Sequence, residues 1–187
     1  AADLGDTLSR YLRMSGRLRE RDAWVAWVAA EVGARGFTAS AAATEGEAAW
    51  ALFTQGQPQE AFERLQALHS RLLATTEFDA SFQLAVTEQQ LGRVLFESGQ
   101  ANAARPLFQK AIARLEAQIR TRTNAGQDVR AHRANLSAVL GDLANALRAS
   151  GQLAAARSAA ERGLEIDREL GNAREVATGL GQLANID

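Results

Sequence analysis

Apolar residues along this chain recur at three- and four-residue spacing, and the clearest stretch runs from Leu91 to Ala111. Leu91 and Leu95 lie four apart, so they share one face of a helix. Gly99 then interrupts the pattern where a tight turn needs a residue free to take positive φ. Ala104, Phe108 and Ala111 resume the spacing on a second helix. Gly92 and Ala104 carry almost no side chain, which lets the two backbones approach closely. The pattern predicts two amphipathic helices folded into a hairpin.

The hairpin repeats. Four turns look alike: Ser15-Gly16-Arg17, Gln55-Gly56-Gln57, Ser98-Gly99-Gln100 and Ser150-Gly151-Gln152, with glycines spaced 40, 43 and 52 residues apart. Leucine precedes each glycine by four residues, at Leu12, Leu52, Leu95 and Leu147, and alanine follows three of them by five, at Ala61, Ala104 and Ala156. Arg21 stands at that position in the first unit. Four matches in register mark an internal repeat.

In chain order, the first hairpin is expected over residues 3–15 and 18–32, with Trp24, Val25, Trp27 and Val28 making its second helix apolar on two sides. Ser40 or Thr44 is expected to cap the next helix, which ends before Gly56. Pro58 falls in the first turn of the following helix, where its missing N–H costs nothing, and Ala61, Phe62, Leu65, Leu68 and Leu72 give that helix its apolar stripe. A break covers 75–79. Pro106 is expected within or just after the first turn of the helix that runs to about Thr121. The stretch 123–126 reads as a loop, followed by helices over 127–149 and 153–170 and a last one from near Arg174, still running at Asp187. The units are therefore expected over 2–36, 40–75, 79–122 and 127–171, with a partial unit over 173–187. A chain that opens on Ala1 and stops inside a unit reads as a fragment of a longer array.

Composition fits such a design. The 187 residues are 47% hydrophobic and 23% charged, with only 2 prolines, which argues for a folded, nearly all-helical chain. A formal net charge of −1 gives no global attraction to nucleic acid or to an anionic membrane. The absence of cysteine excludes a disulfide framework, a thiolate nucleophile and thiolate-bound zinc, and fits a reducing compartment such as the cytoplasm. No apolar run reaches the ~18 residues that span a bilayer, and the first ten residues lack the basic and apolar segments of a signal peptide.

The repeat resembles the tetratricopeptide (TPR) pattern W-x₂-L-G-x₂-Y…A-x₃-F. Leu91-Gly92, Ala104 and Phe108 match it, while Glu88 stands at the tryptophan position and Leu95 at the tyrosine position. Leu143-Ala144, Leu147, Ala156 and Ala160 follow less closely, as do Ala48-Ala49, Leu52, Ala61 and Leu65. Longer-than-usual periods and the linker from Gly171 to Leu180 resemble the kinesin light-chain type, and similar arrays occur in repeat tails of bacterial signalling ATPases. The resemblance implies an all-α, right-handed superhelix (an α-solenoid) of antiparallel helical hairpins. Its concave groove, lined by the first helix of each pair, is the kind that binds a peptide or partner protein.

The groove candidates follow from register. The residue after the Leu-Gly pair reads Arg10, Trp50, Arg93, Asn145 and Asn185, and three residues later stand Arg13, Phe53, Phe96 and Arg148. In the resembled subfamily an asparagine on this face hydrogen-bonds a bound peptide's backbone, which Asn145 and Asn185 match. Trp50, Phe53 and Phe96 read either as an apolar floor for a ligand or as packing between neighbouring first helices. The arginines read either as solvated side chains or as readers of carboxylates and phosphates.

Signals for catalysis are weak. His69 and His132 are far apart, and Asp128 at i−4 offers His132 a helix-face pair but no second metal ligand. Glu45 and Glu47, like Glu161 and Glu165, read as ordinary helix-face acids. No phosphate loop, nucleophile elbow or dinucleotide fingerprint occurs. Arg120, Arg122, Arg130 and Arg133 make a small basic patch that Glu116 and Asp128 dilute. Arg10, Arg13, Arg17, Arg19 and Arg21, with Trp24 and Trp27, read as a cap or as a docking surface for an N-terminal domain. The expectation is a non-catalytic interaction module with no cofactor and no metal. Its alternatives are a self-association platform, a homodimer through terminal hairpins, or a ligand-sensing tail of a larger ATPase or protease.

Overall fold

A computed structural model describes residues 19, 20, 23 and 37–186. The expected first hairpin, and with it Arg10, Arg13, Trp24 and Trp27, lies outside the described residues; Arg19 and Glu20 are helical and exposed. Seven longer helices follow, and no strand occurs among the described residues: α1 (Ala39–Thr54), α2 (Pro58–Ala74), α3 (Ser81–Glu97), α4 (Ala101–Asn124), α5 (Arg130–Ala149), α6 (Leu153–Leu170) and α7 (Ala173–Ala184). They fall into two compact units, Ala1–Gln83 and Leu84–Asp187, with the boundary inside α3.

The turns explain the repeated glycine. Gly56, Gly99 and Gly151 have φ of 82°, 78° and 74°. At each turn the glycine N–H reaches the carbonyl three residues back and the following glutamine N–H reaches the one five back: Gln57 to Leu52 at 3.0 Å, Gln100 to Leu95 at 2.9 Å and Gln152 to Leu147 at 2.9 Å. Those bonds satisfy the orphan carbonyls at the helix end and require the left-handed residue that glycine supplies. Leucine four before glycine thus supplies the accepting carbonyl of the closing turn as well as an apolar position.

In the first unit α1 packs on α2. Its core is built from Ala41, Ala42, Ala49 and Ala51 on α1 and Ala61, Leu65, Leu68 and Leu72 on α2. Thr38, not Ser40 or Thr44, caps α1: its hydroxyl accepts the Ala41 N–H at 3.1 Å. The helix therefore begins before both residues, and Thr44 instead bonds back to the Ser40 carbonyl at 2.9 Å. Pro58 is the first residue of α2.

In the second unit Gly92 on α3 lies against the ring of Phe108 on α4, where a Cβ would come within 2.5 Å of it. Leu91, Val94, Ala104, Phe108, Ala111 and Leu115 complete that hairpin's core. Pro106 sits inside α4, past its first turn. This helix extends to Asn124, three residues beyond the expected end, and α5 begins at Arg130, three residues later than the expected start at 127. Asp128 is the reason for the late start, since its carboxylate accepts the Arg130 N–H at 2.9 Å. In the last hairpin Leu136, Val139, Leu140, Leu143, Ala144 and Leu147 on α5 are buried with Ala156, Ala159, Ala160 and Leu164 on α6. Gly171, with φ of 72°, ends α6. The last helix stops at Ala184 with Asn185 as its cap, short of the run to Asp187 that periodicity predicts.

Candidate interaction face

Within the second unit the first helices of successive hairpins touch directly. Gln89 on α3 donates its amide to Asp142 on α5 at 2.7 Å, and Arg93 Nε lies 3.8 Å from the other Asp142 oxygen. One hairpin further, the Gln182 side chain of α7 lies over Gly141 of α5, its Oε1 3.2 Å from where a Cβ would be. The same two register positions make both contacts, so α3, α5 and α7 form a row. Burial pushes the Asp142 carboxyl above its ordinary value, the Gln89 hydrogen bond and Arg93 pull it back, and Glu97 adds to the rise.

Of the candidate residues on these helices, Arg93 stands directly beside the row at Asp142. Arg93 and Arg148 are exposed, and Phe96 and Asn145 are half-buried. Asn185 is exposed at the C-cap of α7, where its N–H bonds the Gly181 and Gln182 carbonyls. In the first unit Trp50 and Phe53 lie side by side on α1, ring centroids 4.8 Å apart and tilted by 32°, each half-buried. The structure thus pairs Trp50 with Phe53 and brings Arg93 to Asp142; Arg10 and Arg13 are outside the described residues.

Sequence reasoning missed the charged ties inside the hairpins. Glu88 is fully buried, and both its oxygens accept from Arg114 Nε on α4, at 3.1 and 3.0 Å. Glu45, expected to be an ordinary surface acid, meets Arg71 on α2 at 2.9 and 2.7 Å, and that guanidinium also stacks 4.1 Å over the Phe37 ring. Both pairs are 26 residues apart and occupy the same register. The signal was present at Glu88, an acid at the position where the resembled pattern has its tryptophan. In the third hairpin the equivalent positions are Leu140 and Ile166, an apolar substitute for the pair.

The basic patch is largely consumed by the fold. Arg130 donates to the Leu170 carbonyl at 2.7 Å, Arg133 pairs with Glu169, and Arg122 reaches the Asp128 carbonyl at 3.2 Å. His132 faces Gln118 on α4, Nε2 to Oε1 3.2 Å. Burial and the nearby Arg122 hold its pKa below the usual 6.5, with Asp128 opposing. Among the described residues no group of three or more His, Asp or Glu side chains stands together as a metal site. No helix among them is long and apolar enough to cross a membrane.

Antiparallel hairpins closed by one glycine turn, with a small residue on the first helix admitting the second, define a tetratricopeptide-type repeat array. Residues 89–117 match the tetratricopeptide repeat family model. No curated protein matches the chain in sequence. Among solved structures, a single-residue variant of the TPR-like repeats ascribed to a Podosopora anserina kinesin light chain superposes with TM-score 0.67 at 21% identity, over 98% of this chain and 84% of that one. PlcR of Bacillus thuringiensis, solved with the peptide PapR7 and DNA, matches with TM-score 0.75 at 15% identity, over 99% of this chain and 61% of that one. BtubC of P. vanneervenii matches with TM-score 0.64 at 17% identity, over 91% of this chain and 64% of that one. Likenesses at this identity establish the fold: the chain is an all-α, TPR-like solenoid array.

Proposed function

We propose that the chain is a protein-interaction module, without catalysis of its own, that takes a peptide or partner protein along the exposed side of its first helices. In this reading the hairpins over 40–75, 79–122 and 127–171, with the partial unit from 173, act as successive units of one array. One observation carries it: α3, α5 and α7 abut through Gln89, Asp142, Gly141 and Gln182, which supports reading Arg93, Phe96, Asn145, Arg148 and Asn185, at neighbouring register positions, as one face. These residue types suit peptide capture. The asparagine amides donate and accept at once, the arginines offer planar donors to carboxylates, and a half-exposed aromatic anchors side chains. PlcR, whose fold is similar, was solved with a bound peptide, which supports the same use here. The Trp50–Phe53 pair is read as a second anchor on α1.

The test is a peptide selected from a random display library against the full chain, followed by titration of variants. Asn145→Ala and Arg93→Ala are expected to weaken binding at least about tenfold each, equal to about 1.4 kcal/mol, with helix content unchanged by circular dichroism. Trp50→Ala is measured beside them. Selected peptides that bind the Asn145→Ala and Arg93→Ala proteins as tightly as the parent would refute the face.

A further inference from the structure

Arg93 and Arg148, the two exposed arginines among the face candidates, stand in different electrostatic surroundings. Arg93 of α3 has Asp142 of α5 across from it, Nε to Oδ1 3.8 Å. The other oxygen of that carboxylate accepts the Gln89 amide at 2.7 Å, so Asp142 cannot swing away from α3 without losing a charge-assisted hydrogen bond. Glu97, one turn beyond Arg93 on the same helix, is close enough to push the Asp142 carboxyl up. One guanidinium thus stands among two acids, and a ligand carboxylate drawn to it meets their repulsion. Arg148, in the last turn of α5, is exposed and makes no ion pair among the described residues. No acid occurs in sequence between Asp142 and Glu161.

We infer that Asp142 sets the charge selectivity of the face, leaving Arg148 to take a ligand carboxylate and reserving Arg93 for an uncharged carbonyl. This rests on reading the face as a peptide groove, and it narrows the ligand to a peptide with an acid at one position only. The discrimination comes from a repulsive element and not from a better contact. A guanidinium donates to a peptide carbonyl as it does to a carboxylate, and a carbonyl carries no net charge for Asp142 and Glu97 to repel. The Asp142 side chain is 21% exposed against 45% for Arg93, so its repulsion of an incoming anion is screened less than that between two surface charges. The Gln89 bond holds the carboxylate at the junction of α3 and α5 whether or not a ligand is present.

The random display library, panned at neutral pH on the full chain and on its variants, tests this. Peptides selected on the parent are expected to carry an acid at one position. Replacing that acid by its amide should weaken binding about two- to fivefold on the parent, the range of an exposed ion pair, and leave it unchanged on Arg148→Gln. Asp142→Asn keeps the shape of the side chain and an oxygen for Gln89. Peptides selected on it are expected to gain a second acid, whose replacement by the amide is felt only while Arg93 is present. Glu97→Gln, at an exposed residue, is expected to shift selection the same way and decides the matter should Asp142→Asn lose helix content. A purely structural role for Asp142 would change affinity or stability without changing the acid content of the selected peptides. Parent-selected peptides with no acid, or with one that couples to Arg93, would overturn the inference. So would selections on Asp142→Asn and Glu97→Gln no richer in acids than those on the parent. A library that yields no binder to the parent would refute the groove itself, and the inference with it.

Discussion

Gly92 illustrates how tightly one position can be specified. Its backbone lies against the Phe108 ring, and a methyl group there would sit 2.5 Å from a ring carbon, well inside contact distance. Phe108 is 1% exposed and has nowhere to swing. Gly92→Ala is therefore expected to destabilise the chain by ~1–3 kcal/mol despite alanine's better helix propensity, read as a lower urea midpoint. Adding Phe108→Leu should recover part of the loss, since the hairpin of α1 and α2 closes with Ala49 and Leu65 at the same two positions. This much was legible in the sequence, because a small residue in register with an aromatic on the facing helix needs only the local period. The meeting of Gln89 with Asp142 was not, since it joins side chains 53 residues apart and depends on how successive hairpins rotate. The titrating residues make a second prediction here. His132 has its pKa lowered from 6.5 in the folded chain, so the unfolded chain binds the proton first, and stability falls as pH drops below about 6.5. Asp142 has its pKa raised from 3.8, so its folded form binds the proton first and stability gains as pH falls through that raised value. Urea midpoints across pH should show the acid loss vanish in His132→Gln, while Asp142→Asn should raise the midpoint at neutral pH and lose the acidic gain.

At the scale of the element, each hairpin solves one packing problem with different chemistry. Glu88–Arg114 is the costliest solution, because Glu88 is fully buried and its side chain has 0% exposure against 31% for Arg114. Arg114→Ala takes the guanidinium away from that buried carboxylate and is expected to cost roughly 3 kcal/mol. The double variant Glu88→Leu with Arg114→Ile copies the Leu140 and Ile166 arrangement of the next hairpin and should return stability to near the parent value, since apolar replacement of a buried pair is often neutral or better. Equal losses in the single and double variants, by chemical denaturation, would show that the pair does more than fill the position. Glu45–Arg71 is more exposed, with side chains at 27% and 51%, and its removal should matter far less. Helix existence and turn placement were readable for 37–186 because leucine, glycine and alanine recur at fixed offsets. Helix ends were less so: Thr38 and Asp128 act through side-chain bonds to backbone N–H groups, and several neighbouring residues of the same kind compete for that role.

For the whole molecule, a repeat array distributes stability unevenly, since each helix is only as secure as the neighbours that cover it. The extremes lie one helix apart in sequence. The α5 helix buries Leu136, Ser137, Val139, Leu140, Leu143, Ala144, Ala146 and Leu147 against helices on more than one side, whereas α7 buries Gly179 alone. Glycine contributes no side chain to that contact and two further glycines are close by at 181 and 141, so α7 is held mainly by Gln182 over Gly141 and by Leu164 beneath Gly179. Hydrogen exchange at low protein concentration should therefore find the amides of 177–184 opening independently and exchanging at least about 100-fold faster than those of 139–147. Leu164→Ala should widen that gap by loosening the surface α7 rests on, while leaving the amides of α1 and α2 unchanged. Protection that is uniform from α5 through α7 would mean the last helix is secured by more than the contacts described.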